Sequence, residues 1–123
     1  MKTELTIEQG RRLIECGINA SAYASTVLTF DDPVSQWTNR GAPVFTLTDL
    51  MILLPPRKPF ADAEAYLNIH FELAGHTWVA EYLDFDKDDD VIVEKSATEL
   101  IDALFLLCLW CIDNGYITTQ KHN

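Results

Sequence analysis

Three aspartates at alternating positions are the first candidates for chemistry in this 123-residue chain. They are Asp84, Asp86 and Asp88, within a strongly acidic stretch. Carboxylate oxygens at alternating positions can wrap a hard cation, so the spacing indicates a candidate calcium site. The EF-hand register is incomplete, because Asp89 stands where glycine is required and Lys95 where glutamate is required. A solvated loop between two strands is the simpler interpretation.

A second candidate lies just upstream, at His70, Glu72 and His76. On a β-strand His70 and Glu72 would share a face, where an imidazole and a carboxylate could bind a metal or exchange a proton. The sequence alone identifies no third fixed partner for them. The polar face of an ordinary strand is therefore the competing interpretation.

Cys108 and Cys111 have the spacing of a CxxC motif. A redox CxxC needs its first cysteine at a helix N-terminus, where the thiol pKa falls, but both residues lie deep inside a predicted helix. A zinc site would need two more ligands, and Cys16 is the only other cysteine in the sequence. We predict buried, redox-inactive thiols that pack as small apolar side chains. Three cysteines without a leader are typical of reduced thiols in a cytoplasm.

The charge argues against two classes of partner. The chain carries a formal charge of −10, and residues 81–102 hold nine acids against two bases. Nucleic acids and anionic membranes both bind cationic surfaces, so neither is an expected partner. A helix-turn-helix around Gly17 is also disfavoured, since residues 20–24 include no charged side chain.

Targeting and cofactor motifs are equally sparse. The longest apolar run, Ala103–Ile112, has ten residues, whereas a membrane span needs about 20. Residues 1–9 lack the apolar core of a signal peptide, which predicts a cytoplasmic location. Without a glycine-rich phosphate loop or a nucleophile elbow, no cofactor is predicted and a non-enzyme is favoured.

The N-terminal half predicts mainly helices. Thr6 and Gln9 form a capping box before a helix over Ile7–Cys16. Thr46 begins a second helix, Leu47–Leu54, which the following prolines end. Asn19 could cap a further short helix. The rest of this half predicts a strand-like segment at Thr26–Phe30, a loop at Ser35–Pro43 and a polar connection at Arg57–Ala63.

The C-terminal half predicts a meander followed by one long helix. Period-two alternation over Tyr66–Leu83, broken by Ala74–His76, indicates a β-hairpin. Val91–Val93 is a third strand. Ser96–Glu99 resembles a capping box for a helix that Gly115 closes. From residue 104 to 112 this helix is apolar all round, so it must be covered on several sides. Its predicted core residues are Leu104, Leu107, Cys108 and Cys111.

Capping and core residues follow one another along the chain in a particular order, with a tryptophan-containing hairpin between the second and third groups. The groups are Thr6, Glu8, Gln9, Gly10, Leu13, Gly17 and Ile18; Pro43, Phe45, Thr46, Leu47 and Leu53–Pro55; and Ile101, Asp102, Ala103, Trp110 and Asn114–Ile117. This order resembles small proteins of unknown function encoded in prophages and other mobile elements of gut bacteria. The resemblance implies a small cytosolic accessory protein and no catalytic residues, and the acidic loop lies outside the pattern.

Together these features predict one α+β domain: a small antiparallel meander with helices packed on one face, the C-terminal helix being central. The expected function is a non-enzymatic protein-interaction domain with an unidentified protein partner. The alternative is a small metal-dependent binding protein or enzyme centred on residues 66–90. Leu106, Leu109 and Trp110 could form an open apolar patch, which predicts a homodimer, with a fully wrapped monomer as the competing state.

Overall fold

The computed structural model describes residues 1–19, 26–27, 43–54, 57–60 and 63–117. Its elements within these ranges are three helices and six strands. In chain order they are α1 (Ile7–Glu15), β1 (Thr26–Val27), β2 (Pro43–Val44), α2 (Leu47–Leu53), β3 (Arg57–Phe60), β4 (Ala63–Glu72), β5 (Thr77–Asp84), β6 (Asp90–Ala97) and α3 (Leu100–Asp113). The short helix expected from Asn19 and most of the 26–30 and 35–43 segments lie outside the described residues.

The main sheet is an antiparallel meander with the strand order β3-β4-β5-β6. A separate two-stranded sheet pairs β1 with β2. The predicted α+β class and the predicted hairpin are confirmed, with β4 and β5 aligned so that Asn68 pairs with Glu81 and Phe71 with Trp78. The C-terminal helix packs on β5 and β6, as expected.

The segment Arg57–Ala63 was expected to be a polar connection, and that expectation is wrong. Residues 57–60 form strand β3, which pairs with the first residues of β4. β3 lies at the edge of the sheet, where a strand tolerates a proline such as Pro59 because the lost N–H need not bond a second neighbour. The polar composition therefore reflects an edge strand.

The predicted start of the last helix is also wrong. Ser96 and Ala97 belong to β6, where they pair with Val79 and Trp78, so the third strand is longer than expected. Strand pairing takes precedence over a local capping box because it satisfies the backbone groups of several residues at once. Glu99 is the N-cap of α3, and its Oε2 accepts from the backbone N–H of Lys2 at 3.0 Å.

The two other helix starts are confirmed. In α1 the N–H of Gln9 donates to Thr6 Oγ1 at 3.1 Å, and Gln9 Oε1 accepts from the N–H of Thr6 at 3.0 Å. In α2, Thr46 and Asp49 form the same reciprocal pair. Each box satisfies N–H groups that a helix N-terminus leaves without partners.

One core joins α3 to the sheet and to the other helices. All four predicted core residues of α3 (Leu104, Leu107, Cys108 and Cys111) are completely buried, which confirms the prediction. The buried cluster also includes residues from the N-terminal segment, the two other helices and the sheet. Examples are Leu5, Leu13, Phe45, Leu50, Leu54, Ala65, Ala80, Tyr82 and Val93.

The apolar patch that suggested a homodimer is smaller than expected. Leu109 is only 8% exposed, so the expectation that it is open is wrong. Trp110 stacks on Tyr116 with ring centroids 5.6 Å apart. Leu106 remains 38% exposed. The fold itself covers most of the apolar helix. Within the described ranges, no helix is long and apolar enough to cross a membrane.

A polar cluster fastens the N-terminus of α1 to that of α3. Asp102 Oδ1 accepts from Lys2 Nζ at 2.7 Å and from Gln9 Nε2 at 2.9 Å. Gln9 Oε1 accepts from Lys2 Nζ as well as from Thr6. Burial by itself would raise the pKa of Asp102, but the hydrogen bonds from Lys2 and Gln9 outweigh it and lower the pKa.

This contact predicts a pH-dependent stability. Because the folded-state pKa of Asp102 is lowered, its contribution is complete above the unfolded-state pKa, about 3.9, and is lost as pH falls through the folded value. We expect Asp102→Asn to lower the free energy of unfolding by about 1 kcal/mol at neutral pH, with the difference shrinking in acid. Urea unfolding at several pH values measures it, with the exposed Asp113→Asn as control. A pH-independent difference would refute the assignment.

Candidate functional site

The acidic loop is organised by its own first residue. Asp84 is buried, and its Oδ1 accepts from the N–H of Asp86 at 3.0 Å. The carbonyl of Asp84 accepts from the N–H groups of Lys87 and Asp89. Asp88 and Asp89 have positive φ, a conformation that aspartate tolerates better than most residues. The carboxylate of Asp84 therefore shapes a turn.

The loop is also attached to the sheet. Tyr66 lies beside it and donates a hydrogen bond to Asp89, whose carboxylate is the main cause of the raised pKa of Tyr66. The Tyr66 ring meets Phe85 edge-on, with centroids 6.4 Å apart. These contacts position the turn between β5 and β6 against β4.

The candidate calcium ligands do not form a metal-binding group. Across the described part of the chain, no three His, Cys, Asp or Glu side chains come together in a way that could hold a metal ion. Asp84 is buried and bonded to the loop backbone, whereas Asp86 and Asp88 are exposed. The alternating aspartates therefore belong to a turn whose outer side chains, Asp86 and Asp88, face the solvent.

We therefore expect Ca²⁺ and Zn²⁺ to leave the melting temperature unchanged. A ligand that binds only the folded state raises that temperature by mass action, so thermal unfolding with and without each ion is a direct measurement. The double variant Asp86→Asn, Asp88→Asn is the control. A large stabilisation by either ion that disappears in this variant would establish the metal site.

In the structure a third residue, Glu81, lies close to His70, which also contacts Glu72. His70 Nε2 lies 3.3 Å from Glu72 Oε1, and His70 Nδ1 lies 3.7 Å from Glu81 Oε1. Asn68 Nδ2 donates to Glu81 Oε1 at 3.1 Å. His76, the other candidate, is an exposed turn residue with φ 51° and lies outside this group.

Glu81 is the functional candidate that sequence reasoning missed. It is 5% exposed in β5, one of the two inner strands, on the sheet face opposite α3. The available signal was the register of the hairpin: a turn centred on residues 74–75 pairs position 81 with position 68, next to His70. A buried carboxylate needs hydrogen bonds to offset its lost hydration, and Asn68 supplies one. The group forms a polar network across two strands.

The CxxC thiols face a buried phenol. Cys108 and Cys111 are fully buried and reduced. Burial raises the pKa of the Cys108 thiol, and the neighbouring Cys111 adds to the effect. Burial is likewise the main cause of the raised pKa of the Tyr82 phenol. The nearby thiols of Cys111 and Cys108 raise it further. The Cys108 thiol is therefore protonated at neutral pH, which is the opposite of what a redox CxxC requires.

We expect native protein to leave Cys108 and Cys111 unlabelled by iodoacetamide at neutral pH, because alkylation needs an accessible thiolate. Cys16, which is partly exposed, is the internal comparison. Intact-mass and peptide mass spectrometry measure the sites, and denatured protein should label at all three cysteines. Rapid labelling of either helix thiol in the folded protein would show that it is reactive.

Two exposed apolar side chains lie at the end of the β4–β5 hairpin. Leu73, in the turn, is 78% exposed, and Phe71 is 40% exposed. The Phe71 ring meets Trp78 edge-on at 5.2 Å between centroids. Phe71 and Trp78 are paired residues on the α3 side of the sheet. We call Phe71, Leu73 and Trp78 the hairpin end.

No protein-family model, no curated protein and no solved structure matches this chain.

Proposed function

We propose that this chain is a non-enzymatic protein-interaction domain and that the hairpin end contacts its protein partner. The observation that carries the proposal is the exposure of Leu73 in the turn and of Phe71, whose ring meets that of Trp78. Large apolar side chains exposed together at the tip of an ordered hairpin lose the benefit of burial unless another surface covers them. Aromatic residues are also enriched in the centres of protein interfaces.

The position of the hairpin end outside the core supports a role in binding. Residues nearer the middle of β5, Ala80 and Tyr82, are completely buried in the core. The apolar alternation of β4 continues beyond this core to Phe71, and Leu73 follows in the turn. The last apolar positions therefore add little to folding, and a partner surface accounts for them better.

The alternative, a metal-dependent binding protein or enzyme in residues 66–90, has one supporting feature. His70 lies between the carboxylates of Glu72 and Glu81. However, the side chains of His70 and Glu72 are on the open surface of the sheet, at 40% and 53% exposure. Acid–base catalysis and tight metal binding gain most from a site that excludes water, so this geometry favours the interaction domain.

The resemblance to small mobile-element proteins extends the proposal. An accessory factor of a prophage would act in the cytoplasm by binding a host or phage protein. An acidic interaction domain is consistent with that role. Self-association as a homodimer stays a prediction, now with Leu106 as the main exposed residue of the original patch.

Paired surface variants test the proposal in the cells that naturally produce the protein. We expect Phe71→Ser, Leu73→Ser to lose a co-purifying protein that the wild type retains. The matched control is Met51→Ser, Ile52→Ser on α2, two apolar residues of similar exposure. Both variants should melt close to the wild type. If the hairpin-end variant keeps every partner that the control keeps, the proposal fails.

A further inference from the structure

Among the strands that the structure describes, β6 forms a free edge of the main sheet. It pairs with β5 on one side, and among the described residues no strand pairs with it on the other. The strand is eight residues long, and an edge of this length presents a row of backbone N–H and C=O groups that can accept another strand. Addition of an extended segment to such an edge is a common mode of peptide recognition.

The side chains along this edge indicate what kind of strand would fit. On the sheet face opposite α3, the register places Asn68, Glu81 and Glu94 in one row across β4, β5 and β6. Glu81 and Glu94 are direct cross-strand neighbours, an arrangement in which like charges destabilise the sheet. Asn68 donates to Glu81, whereas Glu94 has no ion-pair partner in the described part of the chain. The position beside Glu94 on an added strand would favour a cation.

On the α3 side of the sheet, three residues further along β6, an apolar side chain on the added strand would fit best. There the register aligns Phe71, Trp78 and Ala97 in a row that leads from the hairpin end to the free edge. An apolar side chain on the added strand would extend this row. Positions three apart on a strand point to opposite faces, so one extended segment can supply both residues.

We propose that the free edge of β6 binds an extended segment of the partner protein, with a lysine or arginine beside Glu94 and an apolar residue beside Ala97. The segment is a β-strand with alternating basic and apolar residues. This inference rests on the proposed function and names the chemistry of its partner.

Charge favours this occupant over a second copy of the chain. Two copies would bring together two molecules of charge −10. They would also place two β6 strands side by side, each of which carries Asp90 and Glu94 against a single Lys95. Residues 81–102 alone carry a net charge of −7. A basic strand meets complementary charge along the same edge, and such complementarity speeds association and selects the partner.

A synthetic peptide of nine residues that alternates valine and lysine is the probe. We expect NMR titration of the labelled full-length protein to shift the amides of β6 and of the hairpin end, with slowed hydrogen exchange along β6. Binding should weaken with salt. Glu94→Lys should lower the affinity about tenfold, because it replaces an attraction with a repulsion. Glu15→Lys, the same charge change on an exposed position of α1, should leave the affinity close to that of the wild type.

Two control peptides complete the test: one with glutamate for lysine, and one with the same composition but no alternation. Neither should bind. The inference is overturned if the alternating peptide does not bind, if its shifts map to the acidic loop, or if Glu94→Lys binds as well as Glu15→Lys. It is also overturned if the free protein is a dimer joined through β6. Loss of a partner in the hairpin-end variant, without peptide binding, would leave the proposed function standing and remove this inference alone.

Discussion

Replacing Leu107 by alanine is expected to lower the free energy of unfolding by about 2–5 kcal/mol. Leu107 is completely buried in α3, within the cluster that joins the helix to the sheet. Truncation removes apolar contacts and leaves a cavity that a packed core fills only in part. Chemical denaturation with a single cooperative transition provides the measurement.

The neighbouring residue supplies the control. Leu106→Ala makes the same chemical change on the same helix, but Leu106 is 38% exposed, so we expect a cost of less than about 1 kcal/mol. Equal costs at the two positions would mean that α3 does not present the face described here to the sheet.

Replacing Tyr82 by alanine is expected to cost about 3–5 kcal/mol, the range for removing a large aromatic ring from a core. The Tyr82 side chain is fully buried in the middle of β5, against the Cys108 and Cys111 thiols of α3. The loss should appear both as a lower denaturation midpoint and as earlier thermal unfolding.

Phe85→Ala is the matched aromatic control, because Phe85 lies one residue past the same strand and is 57% exposed. Its cost should stay near 1 kcal/mol or below. Tyr82→Phe separates the hydroxyl from the ring and should cost far less than alanine. Were Tyr82→Ala as mild as Phe85→Ala, the ring could not be part of the core.

The fold could be predicted wherever local chemistry and long-range packing agree. The capping boxes at Thr6 and Thr46 and the alternation of the β4–β5 hairpin each lead to the observed element. The apolar helix α3 could be predicted for the same reason, since its composition requires burial on several sides.

The errors arose where long-range pairing overrides a local signal. Ser96 has the chemistry of a helix cap, but pairing with Val79 holds it in β6. The composition of residues 57–60 is typical of a connection, but these residues pair with the start of β4 and form a strand. A single sequence does not show these partners, because the pairing energy depends on residues elsewhere in the chain.

In the candidate sites, too, local spacing could be predicted from the sequence, whereas contacts that depend on long-range pairing could not. Sequence spacing correctly brings His70 and Glu72 to one face, since this follows from the strand period alone. Glu81 was missed because its proximity depends on the hairpin register. Asp84, Asp86 and Asp88 keep their spacing in the loop, but the Asp84 carboxylate bonds to the loop backbone. The exposed hairpin end was not foreseen, because alternation does not reveal where the covering helix stops.

Photo-crosslinking from the hairpin end tests the central claim most directly. A benzoylphenylalanine at position 71 should form one discrete adduct with another protein on irradiation in the producing cell. The same group at position 52 on α2, also exposed, should not form that adduct. Mass spectrometry then identifies the partner peptide joined to position 71. A discrete adduct specific to position 71 is the predicted result; no adduct, or the same products from both positions, would contradict the account.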